Sequence, residues 1–103
     1  MNTNEAIDFT MKALEWRERQ DPGRLTKEIN ETMERLINKE MLEKKHRILI
    51  GFCLFTYSME LGPSSFNDVA SAGAELGVGP DIEYYADDYR SYAANAKSNA
   101  HEI

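Results

Sequence analysis

Apolar residues recur at spacings of three and four from the start of the chain: Ile7, Met11 and Leu14 share one stripe, with Phe9, Ala13 and Trp16 beside it. That repeat predicts an amphipathic helix over residues 4–20, with Asp8/Lys12 and Glu15/Arg19 as i,i+4 pairs on its outer face. Asp21-Pro22-Gly23 punctuates its end. A second stripe follows through Leu25, Ile29, Met33, Leu36, Ile37 and Met41, and resumes at Ile48, Phe52 and Phe55 after a basic interruption. No proline falls within residues 24–61, only Gly51 weakens the stretch, and Glu31/Arg35, Glu40/Lys44 and Glu43/Arg47 are spaced to support it. One long central helix is therefore expected. Unbroken, it would exceed about 50 Å, more than the width of a 100-residue domain, so it should bend between residues 44 and 51 or pack its far end on a second chain.

Gly62-Pro63-Ser64-Ser65 forms the next break. Ser65, with Asp68 three residues on, reads as an N-cap that starts a short helix over residues 66–76, ending at Gly77. Pro80 suits the first position of a last helix whose stripe is Ile82, Tyr85, Tyr89, Tyr92 and Ala96, with Asp81 and Glu83 placed to favour its dipole. Residues 95–103 read as a frayed tail. The pattern contains no strand, so the expected fold is all-α: a single domain over residues 1–103, a helical bundle of about four helices with one long central helix.

Composition narrows the class. A chain of 103 residues that is 42% hydrophobic can bury one modest core. Cys53 is the single cysteine and has no internal disulfide partner. The chain opens without a basic, apolar and small-residue leader, so a reducing cytoplasmic location is expected. The most apolar window, residues 48–55, is far short of the roughly 20 residues of a membrane span, and no membrane association is expected.

Charge adds a clue about partners. Residues 1–50 balance ten acids with ten bases, whereas residues 51–103 carry eight acids against only Arg90 and Lys97, so the whole net charge of −6 lies in the second half. There Asp81, Glu83, Asp87 and Asp88 are threaded among Tyr84, Tyr85, Tyr89 and Tyr92. Tyr84 falls off the apolar stripe. Asp81, Glu83, Tyr84, Asp87 and Asp88 are thus the expected contact surface for a protein partner with a basic face, and such a field repels nucleic-acid phosphates. Ile29, Met33, Leu36, Ile37 and Met41 are the expected self-association seam of a homodimer.

The pattern over residues 66–92 resembles a helix-turn-helix: a short helix with Val69, Ala70 and Ala72, then Glu75-Leu76-Gly77-Val78 and Gly79-Pro80-Asp81 leading into a second helix. The resemblance implies that this second helix would enter the major groove, where Arg, Lys, Asn, Gln or Ser read bases. Here it presents four acids and Arg90, and Coulomb repulsion opposes docking. A DNA-binding regulator using the cluster Lys44, Lys45, His46 and Arg47 is the alternative function.

Catalytic and metal chemistry find little support. Glu43 and His46 make a Glu-x-x-His pair, half of a carboxylate-bridged metal site, but no second pair accompanies it and Lys44, Lys45 and Arg47 oppose a dication. A solvated helix surface is the expected state of His46. Cys53 lies about 10 Å along a helix from His46, beyond hydrogen-bond reach, and in an apolar window where it reads as a small buried hydrophobe. Asp87 and Asp88 point about 100° apart on a helix and do not form an acid/base dyad. No enzyme, metal or cofactor is expected. The expected function is that of a small acidic helical regulator or inhibitor that binds another protein.

Overall fold

The computed structural model describes residues 1–78, and these build four α-helices: α1 Thr3–Gln20, α2 Thr26–Ile37, α3 Lys44–Leu61 and α4 Phe66–Glu75, with a single 3₁₀ turn Pro63–Ser65 before the last. The fold is all-α and a helical bundle, as expected. The expected last helix, residues 80–94, and the tail lie outside the described residues.

Local chemistry explains where each helix starts and stops. Asn2 caps α1: its Oδ1 accepts the Glu5 N–H at 2.8 Å, and Glu5 Oε1 accepts the Asn2 N–H at 3.3 Å, a reciprocal box that satisfies two otherwise orphaned donors. After the Pro22-Gly23 turn, Glu18 reaches back to accept from Gly23 N–H at 3.2 Å and Thr26 Oγ at 2.6 Å, pinning the entry to α2.

The expected single helix over residues 24–61 is instead two, α2 and α3, and the break lies at residues 38–43, ahead of the expected bend. Its cause is a Schellman stop. Lys39 takes a left-handed φ of 53°, its N–H donates to Leu36 O at 3.2 Å, and Glu40 N–H donates to Arg35 O at 2.9 Å. Those bonds satisfy the last carbonyls of α2 and turn the chain away from the axis. Glu40, expected to pair with Lys44 along a helix, lies in the connection. Arg35 and Arg47 then clamp it, donating to the carbonyls of Met41 and Leu42, each at 2.8 Å.

Helix α3 is the centre of the bundle. Residues 50–54 are buried without interruption, which for a helix means neighbours on every side, and α3 contacts α1, α2 and α4. Leu14, Ile29, Ile50 and Leu54 are the large side chains fully buried there. Arg17 of α1 is also buried, its guanidinium 4.9 Å from the Phe52 ring centre. On the other flank Tyr57 packs against Phe9 and Trp16, ring centres 5.8 and 5.5 Å apart.

The start of α4 differs from expectation. Ser65 does not cap it by accepting a backbone N–H. It is buried, with helical φ and ψ, and its hydroxyl donates backward to Gly62 O at 2.7 Å. Gly62, at φ 93° and ψ 177°, makes the turn in a region that side chains exclude. Gly77 ends α4 in a second Schellman stop, with Val78 N–H on Gly73 O at 2.8 Å and Val78 itself buried.

Candidate functional site

The Schellman stop after α2 folds α3 back along it, so residues 15 apart in sequence become neighbours. Glu31 in the middle of α2 meets the first turn of α3, and His46 sits between them with its ring almost entirely buried. An open groove of about 690 Å³ runs along this junction, walled by Leu25, Ile48, Leu49 and Phe52 and edged by Lys27, Glu28, Glu31 and Lys45.

Hydrogen bonding sets the state of His46. Its Nδ1 lies 3.0 Å from the Glu43 backbone nitrogen, which can only donate, so Nδ1 carries a lone pair. The ring proton is then on Nε2, which donates to Glu31 Oε1 at 3.1 Å. His46 thus stands at the third helical position of α3 and accepts the N–H of its cap residue, the role glutamate or glutamine takes in a capping box. The expected solvated surface histidine is a buried junction residue.

Lys45 completes the cluster, its Nζ 3.3 Å from Glu31 Oε1 and 3.7 Å from Glu43 Oε2. The hydrogen bond from His46, then the hydrogen bond and charge of Lys45, hold the Glu31 carboxyl below the ordinary glutamate range. A carboxylate so stabilised is a weak base.

The oxygen and nitrogen ligands of Glu31, Glu43 and His46 fall within 4.8 Å of one another, a grouping that could hold a metal ion. The donor chemistry argues against it. With Nδ1 facing a backbone N–H and Nε2 protonated, the ring offers no lone pair to a cation, and the Lys45 ammonium stands between the two carboxylates in the seat a cation would take. Catalysis meets the same obstacle, since a histidine oriented by a carboxylate needs its far nitrogen turned toward substrate.

Elsewhere, Cys53 is fully buried and its thiol is pushed up to about 12 by desolvation, against the opposing pull of the Arg17 guanidinium. It is an inert core residue.

The expected partner-binding residues Asp81, Glu83, Tyr84, Asp87 and Asp88 lie outside the described residues. Of the expected self-association residues, Ile29 and Leu36 are buried in the chain's own core and Met33 packs against it. That burial is intramolecular, within the core that α2 shares with the rest of the chain. Ile37 and Met41 are open to solvent, 63% and 85% exposed, at the end of α2 and in the connection. Three members of the basic cluster have partners within the fold, Lys45 on two carboxylates, His46 on Glu31 and Arg47 on a carbonyl, while Lys44 is exposed. Among the described residues no helix is long and apolar enough to cross a membrane.

Sequence reasoning missed Glu31 as a site residue. Its only signal was an i,i+4 relation to Arg35, and its meeting with His46 depends on a chain reversal that no glycine or proline marks. Comparison with known proteins finds no family model, no curated protein and no solved structure that matches this chain, so function is argued from these residues alone.

Proposed function

We propose that this chain is a non-enzymatic, cytoplasmic, protein-binding regulator or inhibitor, whose acidic tyrosine-containing segment docks on a basic surface of its partner. The observation that carries the proposal is the commitment of both His46 nitrogens to the chain's own groups. It leaves the groove between α2 and α3 with apolar walls and charged edges, and its one histidine without a nitrogen turned to a ligand. Such a groove suits an apolar side chain of another protein. The segregation of net charge supplies the sign of the partner: Asp81, Glu83, Asp87 and Asp88 set approach and selection, and Tyr84 supplies contact energy.

Ile37 and Met41 support self-association, being apolar, exposed and close in the chain. The DNA-binding alternative is the weaker reading, because His46 and Arg47 are engaged within the fold and Lys45 is shared with two carboxylates, which leaves Lys44 as the one base of the cluster without a carboxylate beside it.

The test is affinity capture from the native host with mass spectrometry, followed by surface plasmon resonance on the captured partner. Asp87→Lys with Asp88→Lys should slow association and flatten its salt dependence, and Tyr84→Ala should speed dissociation. Unchanged kinetics in both variants, or capture of duplex DNA with a steep salt dependence in place of a protein, contradicts the proposal.

A further inference from the structure

The junction carries a further capability, because the bond closing the first turn of α3 exists in only one protonation state of one side chain. Glu43 N–H needs an acceptor, and the Nδ1 lone pair of His46 is that acceptor at 3.0 Å. A proton added to the ring goes to Nδ1, since Nε2 already holds one. Donor would then face donor. The bond to Glu31 survives the change, and becomes one between imidazolium and carboxylate. Nδ1–H acquires a new acceptor within a small rotation, the Glu43 carboxylate, whose Oε2 lies 4.0 Å away.

We infer that His46 is a proton-gated cap of α3: the neutral ring holds Glu43 N–H and closes the helix start, and the protonated ring releases that N–H and draws the Glu43 side chain toward itself instead. The charged groups facing the ring are Glu31 from α2 and Glu43 and Lys45 from the start of α3, with Lys27 and Glu28 along the same groove. Release acts at Glu43, the last residue of the connection between α2 and α3. The sign follows from the geometry: the closed cap belongs to the neutral ring and is lost when the ring is charged.

Amide hydrogen exchange on the full 103-residue chain tests this, with NMR shifts of the ring carbon-bound protons reporting the charge of His46. As the ring becomes charged, protection of the Glu43 amide, corrected for intrinsic exchange, should fall on the order of tenfold while Ile50 and Leu54 amides keep theirs. His46→Gln is the control, since a glutamine at this position can accept the same N–H but does not titrate. It should keep Glu43 protected with no step over that range. Unchanged protection through the wild-type titration, an identical step in His46→Gln, or a ring that stays neutral until the chain unfolds would each overturn the inference.

Discussion

Replacing Ser65 by aspartate separates two readings of one hydroxyl. If Ser65 capped α4 by accepting a backbone N–H, aspartate would serve as well, because Asp and Ser are comparable caps. In the structure the hydroxyl donates to Gly62 O at 2.7 Å, the residue is 5% exposed, and Ser58 O is the next oxygen, at 3.5 Å. A carboxylate cannot donate to either. It would stand buried against two carbonyl oxygens, which should cost about 3 kcal/mol or more, while the α4 dipole returns only about 0.5 kcal/mol. Ser65→Ala removes only the donor. Gly62 O keeps the Ser65 N–H at 3.0 Å, so alanine should cost about 1 kcal/mol, the net worth of one neutral hydrogen bond. Urea denaturation at pH 7 should show a small fall in midpoint for alanine and a large one for aspartate, with unchanged slope. A Ser65→Asp protein as stable as the wild type would refute the donor assignment and restore the accepting cap.

Four further outcomes follow from the same structure. Ile37→Asp, at a position 63% exposed, should change folding stability by less than about 0.5 kcal/mol but weaken self-association in sedimentation, whereas Leu36→Asp should unfold the chain. Lys39→Gly relieves the left-handed φ of 53° and should raise stability by roughly 0.5 kcal/mol after the entropy cost of glycine; a loss would mean that α2 does not stop there. Cys53 should resist thiol reagents at pH 8 in the native protein and react on unfolding, given its burial and a thiol pushed up to about 12; rapid native labelling would contradict that environment. The lowered Glu31 carboxyl contributes stability fully above the ordinary glutamate range and loses it as pH falls through its lower folded value; Glu31→Gln should flatten urea midpoints in that window.

What the sequence reveals here depends on whether a structural device has a residue signature. Stops at Gly62 and Gly77 are legible, because only glycine adopts those positive φ angles without strain. The stripe of α1 is legible too, although its buried centre includes Ala6, Thr10 and Arg17, which apolar periodicity alone does not select. The stop after α2 is hidden because it places lysine in the left-handed position, where glycine or asparagine is usual. Everything downstream of that reversal is hidden with it: the Glu31–His46 bond, the groove, and the sorting of Ile29 and Leu36 from Ile37 and Met41. Ser65 shows a second limit. A serine before a helix suggests a cap, but residue type does not say whether the hydroxyl accepts or donates.

The tautomer of His46 bears most directly on the reading of this junction as structural and the chain as a binding protein. Long-range ¹H–¹⁵N correlation at neutral pH distinguishes a protonated from an unprotonated ring nitrogen. The account predicts a neutral ring with its proton on Nε2 and a hydrogen-bonded lone pair on Nδ1, unaltered by added Zn²⁺. A proton on Nδ1, with Nε2 free and shifted by the metal, would contradict it and turn Glu31, Glu43 and His46 into a ligand set.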